Sequence, residues 1–274
     1  GSGGVSAADL LLQEQHAAEL KAHVLRSDGH EGAAYMLCGR ASIGSDPWSR
    51  RARTRLMSHA VIPIDPAEVT DSGPGFITWS TGSYAKLLGR AQQEGLVAAI
   101  VHAHPSGPDW FSKQDDQNES GLAQMAANRN GEGAALLSVL LTGQGAIRAR
   151  LWESPSASIP CDTVGVVGRR LQFLSRVAAD GGGGGDDEVM SRQSLAFGAE
   201  VTRLLRRLRI GVVGCGGTGS ATAMLLARLG VGQLLLIDED VVEVSNLNRL
   251  HMAKRSDADG MRPKVDVLAT EIAA

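Results

Sequence analysis

Apolar residues along this chain repeat at two periods, one of three to four residues and one of two, and the switches between them outline alternating helices and strands. Ala7 to Leu25 carries apolar positions at helical spacing and predicts a helix. Gly32 to Cys38 is a short apolar run closed by Gly39, the pattern of a buried strand. Ser58 to Ile64 predicts another strand, stopped by Pro66. Gly82 to Glu94 reads as a helix with Gly95 as its C-terminal stop. Leu96 to Val101 predicts a buried strand that delivers His102 and His104 at its end. Asp115 to Asn128 predicts a helix with Ser112 as N-cap candidate. Ala134 to Thr142 and Ala146 to Trp152 predict a strand pair around Gly143-Gln144-Gly145. Further on, Gln193 to Leu208 predicts a helix, Arg209 to Val213 a strand, Ser220 to Leu229 a helix ended by Gly230, and Gln233 to Asp238 a strand. The last three form a β-α-β unit, the opening of a doubly wound parallel sheet.

Two breaks divide this pattern. Five consecutive glycines between Asp180 and Asp186 cannot bury enough surface to offset ordering entropy and predict a linker. A softer break is the Ser/Pro-rich stretch from Glu153 to Pro160. The expected fold class is α/β: an N-terminal α+β domain over residues 5–155, a connecting segment over 156–190, and a second domain opening on the β-α-β unit over 191–274. The opening Gly1-Ser2-Gly3-Gly4 reads as a flexible tail or cloning remnant. A net charge of −3 argues against nucleic acid or an anionic membrane as partner. No apolar run approaches the roughly 20 residues of a membrane span. Three distant cysteines, Cys38, Cys161 and Cys215, show no CxxC spacing, so a reduced, cytoplasmic setting is expected.

The densest chemistry is the run His102-Ala103-His104-Pro105 followed by Ser112 and Asp115. Residues two apart on a strand point the same way, so the two imidazoles can converge. A carboxylate at a helix start can complete three protein ligands for zinc, and a fourth position left open marks a catalytic rather than a structural site. Such a site predicts hydrolysis by a metal-activated water. Ser112 is placed to stabilise an oxyanion, and Glu31, at the mouth of an apolar strand, is the candidate general base. The plainer alternatives are surface histidines, Ser112 as a cap only, and Asp115-Asp116 as ordinary helix N-terminal acids.

These residues resemble the JAB/MPN (JAMM) metalloprotease family over about residues 7 to 152. Glu31 with the following GAAYMLCG is similar to that family's catalytic glutamate and strand. His102, His104 and Asp115 match its zinc ligands, and Ser112 matches its serine. The resemblance implies a cytidine-deaminase-like α+β fold, bound Zn2+, and cleavage of isopeptide or peptide bonds to ubiquitin-like proteins. Pro105-Ser106-Gly107 also resembles the RadC branch of the same superfamily.

The second constellation is Gly214-Cys215-Gly216-Gly217-Thr218-Gly219 between a strand and a helix, with Asp238 closing the next strand. Glycines there permit a tight turn, the helix N-terminus favours phosphate, and a carboxylate at this distance suits ribose hydroxyls. The generic reading is a dinucleotide site. The polar stretch Asp238 to Arg249, with Lys264 beyond it, suits a triphosphate better. Cys215 reads as a small filler, and Cys38 as core. From about Ser191 the chain resembles the E1/ThiF/MoeB family, which adenylates the C-terminus of a ubiquitin-like protein. Arg192-Gln193 and Phe197-Gly198 look like that family's opening helix. The resemblance implies ATP with Mg2+, ribose on Asp238, and Asn246, Arg249 and Lys264 around the phosphates. The stretch beyond Arg209 is short for a complete adenylation domain, so this part is expected to be its N-terminal portion only.

The combined expectation is a zinc isopeptidase acting on a ubiquitin-like protein, fused to an adenylating domain that also implies an E2-like partner and a homodimer. The rival expectations are a non-catalytic scaffold that binds a ubiquitin-like protein, and a regulator in which ATP at the glycine loop controls the protease.

Overall fold

A computed structural model describes residues 7–73, 76–131, 133–169, 172–176, 195 and 198–273. The chain forms two compact units, one made mainly of residues up to Ala179 and one mainly of the residues that follow. Among the described residues no helix is long and apolar enough to cross a membrane.

The first unit is built on an eight-stranded sheet. Its elements are β1 (Ala7–Gln13), α1 (Glu14–Val24), β2 (Ala33–Ile43), β3 (Arg53–Pro63), the hairpin β4 (Val69–Gly73) and β5 (Phe76–Trp79), α2 (Thr81–Glu94), β6 (Val97–His104), α3 (Lys113–Asn130), β7 (Leu136–Thr142), β8 (Ile147–Ser154), β9 (Ala157–Val167) and β10 (Gln172–Arg176). The strand order is β1-β3-β2-β6-β7-β8-β9-β10, and β1 also pairs with β9, so seven of the strands join in a ring. One face packs around Ala17, Leu20 and Val24 of α1. The other is covered by α2 and α3 through Tyr84, Leu87, Leu88, Ala123 and Ala126.

Two expectations are corrected here. Ala7 to Gln13 is a strand, not the first half of a helix. Ala8, Leu10 and Leu12 are fully buried, and the segment lies between β3 and β9, parallel to both. Burial on both sides of a central strand yields a continuous apolar run that helical spacing also fits. The helix then occupies only Glu14–Val24. The stretch expected to be a connector from residue 156 instead supplies β9 and β10. Cys161, Val164 and Val166 of β9 are buried in the core, which Ser and Pro nearby obscured. The glycine run lies outside the described residues.

The second unit contains α4 (Ala199–Arg207), β11 (Arg209–Val213), α5 (Gly217–Arg228), β12 (Gln233–Ile237), α6 (Arg255–Asp259) and α7 (Lys264–Ala273). β11 and β12 pair in parallel in a two-stranded sheet, with α5 between them in the chain. Val212, Cys215, Ala223 and Leu268 form one small core, and Val242, Leu250, Ala258 and Val267 another. Within the described residues Val213, Leu225 and Ile237 stay exposed. The expected helix from Gln193 is described from Ala199, while Arg192, Gln193 and Phe197 lie outside the described residues.

Candidate metal centre and nucleotide loop

β6 is buried along its whole length, and its side chains alternate between the two faces of the sheet. Val97, Ala99, Val101 and Ala103 join the core around α1, whereas Ala98 and Ile100 join the one beneath α2 and α3. His102 and His104 continue the second series, so both imidazoles turn toward the face that α3 covers. Asp115 meets them from the first turn of that helix. A capping box sets it there: Ser112 Oγ accepts from the Asp115 N–H at 3.2 Å, and Asp115 Oδ2 accepts from the Ser112 N–H at 2.6 Å. Asp115 Oδ1 then stands 3.3 Å from His102 Nε2, and Oδ2 stands 3.6 Å from His104 Nε2.

One ligand atom from each of His102, His104 and Asp115 can be chosen so that all lie within 4.8 Å of one another. Tetrahedral zinc with bonds of about 2.0–2.2 Å needs ligand atoms a little over about 3 Å apart, so the set fits with small adjustment. Two further observations support the fit. The buried His102 Nε2 has no hydrogen-bond partner despite its nearness to Asp115, so this ring nitrogen is available to a cation. His104 Nδ1 donates to the Pro108 carbonyl at 3.0 Å, which places the lone pair on Nε2, facing the site. No sequence signal pointed to Pro108, because its contribution is a backbone carbonyl.

Glu31 reaches the same place from the residues just before β2. Its N–H donates to Gly73 O of β4 at 2.9 Å, and its Oε1 stands 3.9 Å from His104 Nε2. The residue is only 4 % exposed. Burial raises the Glu31 pKa, against the pull of His104 and His102 and with the help of Asp115. Burial also opposes the charge on Asp115, but the two imidazoles and the Ser112 N–H outweigh it and hold that carboxyl well below the ordinary range. The Asp115 carboxylate in turn raises the pKa of His104 against the effect of burial. The site therefore holds two carboxyl groups of opposite tendency, one kept ionised and one drawn toward its protonated form.

In the second unit Gly214 leaves β11 at φ +85°, a conformation that favours glycine, and its N–H donates to Ile237 O at 2.8 Å. A Cβ on Gly219 would stand 1.7 Å from Gly214 O. Gly216 and Gly217 lie at the N-terminus of α5. Asp238 Oδ2 accepts from the Cys215 N–H at 2.6 Å and Oδ1 from the Asp240 N–H at 2.9 Å, so the carboxylate ties the end of β12 to the glycine loop. Burial opposes its charge, but the two N–H donors and Lys264 lower its pKa. The stem of Arg249 packs over Gly217, where an added Cβ would come within 3.3 Å of it, and Lys264 Nζ donates to Asp240 Oδ2 at 2.7 Å.

Asn246 also has a local structural role. Asn246 is buried, and its Oδ1 accepts from the Glu243 N–H at 3.3 Å while its Nδ2 donates to Ser245 Oγ at 3.3 Å. Its side chain helps to hold a 3-10 turn over Val244–Asn246, a use that a polar residue read without its neighbours does not reveal. Cys215 is fully buried with a thiol pKa raised by burial and by Asp238, as suits a filler.

Comparison with known proteins gives two family matches. The model described as prokaryotic homologs of the JAB domain matches residues 13–153, and that of the ThiF family matches residues 190–274. Among curated proteins, the tRNA threonylcarbamoyladenosine dehydratase of Bacillus subtilis (strain 168) is 43% identical over 83 residues, 30% of this chain and 32% of that protein. The ubiquitin-like modifier-activating enzyme 5 of Aedes aegypti is 45% identical over 98 residues, 36% of this chain and 24% of that protein. The chain thus spans a third or less of the length of these relatives. Among solved structures, E. coli tRNA N6-threonylcarbamoyladenosine dehydratase in complex with ATP is 37% identical, covering 30% of this chain and 33% of that one at a TM-score of 0.29.

Proposed function

Because the chain belongs to the family of prokaryotic homologs of the JAB domain and carries a ThiF-family segment, we propose that it serves a ubiquitin-like protein pathway. Its first unit is a zinc-dependent peptidase or isopeptidase that cleaves at the C-terminal tail of a ubiquitin-like protein. The observation that carries this reading is the convergence of His102, His104 and Asp115 from one strand and one helix, with the buried Glu31 carboxyl beside them. His102, His104 and Asp115 would hold the zinc ion. Zinc bound with an open position supplies Lewis acidity toward the scissile carbonyl and an acidified water at neutral pH.

The remaining work falls to the chain itself. Glu31, a carboxyl whose burial raises its proton affinity, takes a proton from the attacking water and passes it to the leaving nitrogen. Ser112 uses an Oγ lone pair for the helix cap, which leaves its O–H free to donate to the oxyanion. The second unit binds ATP with Mg2+ at Gly214, Gly216, Gly217 and Gly219, with the α5 N-terminus toward the phosphates. Asp238 takes the ribose with the lone pairs its loop contacts leave, and Arg249 and Lys264 flank the phosphates, while Asn246 shapes the turn between them. The name of the Aedes aegypti relative supports a ubiquitin-like partner for this half.

The test is elemental analysis of the purified chain and of His104→Ala. About one zinc per wild-type chain, lost in the variant, supports the hydrolytic site. Wild-type protein that neither carries zinc nor takes it up removes the metallopeptidase reading.

A further inference from the structure

Beyond the ligands themselves, a buried arginine on β8 is built against the back of the metal centre. Arg150 is buried, and two carboxylates and two aromatic rings converge on it. Its Nε donates to Glu119 Oε2 at 2.7 Å and its Nη1 to Asp116 Oδ1 at 2.5 Å, both on α3. Its guanidinium lies 4.0 Å from the centre of the Phe111 ring and 5.1 Å from that of Trp152. Trp152 Nε1 donates to the same Glu119 oxygen at 2.8 Å. Phe111 in turn meets His102, with ring centres 6.1 Å apart at 60°.

These contacts bear on which carboxylate reaches the histidines. The first turns of α3 carry Asp115, Asp116 and Glu119. Adjacent helical residues diverge by about 100°, so Asp115 and Asp116 face different partners, while Glu119 neighbours both and the contacts decide its side. Asp116 and Glu119 share the side that faces Arg150, and this leaves Asp115 for His102 and His104. A guanidinium fork with a flat face suits both tasks, binding two carboxylates and stacking on Phe111.

We propose that Arg150 is a positioning residue for the metal centre: it sets the rotation of α3 through Asp116 and Glu119, and holds Phe111 as a plate against His102. The inference rests on the metal-centre reading above. Arg150 touches neither metal nor substrate and acts only through these neighbours.

The test uses the full chain with zinc in chelator competition, and with Co2+ alone as a spectroscopic probe of the coordination sphere. Arg150→Met should lower zinc affinity by up to about 10-fold, the lower end of the cost of losing a direct partner of a ligand, and should change the visible Co2+ spectrum. Arg150→Lys should fail to restore either, because an ammonium has neither the fork nor the plane. Phe111→Leu leaves the buried Arg150–Glu119 pair and the more exposed Arg150–Asp116 pair in place and serves as the second variant if Arg150→Met does not fold. It should also weaken zinc and shift the spectrum. Combined with Arg150→Met, it should cost less than the two losses added, since both act on His102. Folded variants with wild-type zinc affinity and an unchanged Co2+ spectrum overturn the positioning role while leaving the metal centre standing. A wild-type chain that binds neither ion overturns both.

Discussion

At the scale of single residues, the proposed metal centre would separate groups that bind from groups that move protons. Glu31 lies beside the ligand cluster without belonging to it, so Glu31→Gln should retain the full zinc content while cleavage falls by about 10²- to 10⁴-fold, the usual contribution of general acid–base catalysis. Loss of zinc in that variant, measured by elemental analysis, would assign Glu31 to the ligands instead. The pH dependence follows from His104, whose pKa is raised beside Asp115. In the metal-free protein this contact stabilises the fold fully below the unfolded-state pKa of histidine, and the stabilisation is lost as pH rises through the higher folded value. Zinc needs the neutral ring, so protons compete with it. Zinc affinity should fall steeply from neutral to mildly acidic pH, and a chelator-competition titration at the two pH values checks this.

At the scale of elements, α3 joins stability to chemistry through its cap. Ser112 and Asp115 exchange hydrogen bonds across the first turn, and the same turn presents Asp115 to the imidazoles. Ser112→Ala should lower the unfolding free energy by about 0.5–2 kcal/mol, and Ser112→Thr should recover most of it. Denaturant unfolding of the zinc-free protein reads this directly. An unchanged midpoint for Ser112→Ala would show that the cap contributes nothing. On the nucleotide side, the β11–α5 turn tolerates no Cβ at Gly219, because the Gly214 carbonyl occupies that place. Gly219→Ala should therefore abolish ATP binding measured by calorimetry.

At the scale of the whole molecule, each site draws its residues from one unit, and each unit has its own apolar clusters. The two variants that remove a site should therefore act separately: His104→Ala should bind ATP with wild-type affinity, and Gly219→Ala should keep its zinc. A zinc content that falls in Gly219→Ala would instead favour the reading in which the nucleotide loop governs the protease.

The sequence by itself determined the parts of this protein that depend on short-range order. His102 and His104 share a side because strands alternate, and Ser112 caps α3 because Asp115 lies three positions further on. Gly214 to Gly219 make a turn because the backbone there needs positive φ and close approach. Each is a relation among neighbours in the chain, and local geometry is enough to read it. Only the tertiary structure decided the rest. Ala7 to Gln13 became a strand because β3 and β9 flank it, and both partners are distant in sequence. β9 joined the sheet because β8 and β1 offered it hydrogen bonds that outweigh its Ser- and Pro-rich start. Asn246 turned inward because the turn that begins at Glu243 took its side chain. Arg150 found Glu119, Asp116 and Phe111 only once β8 lay beneath α3. In each case the deciding energy is a contact between residues that only the folded chain brings together.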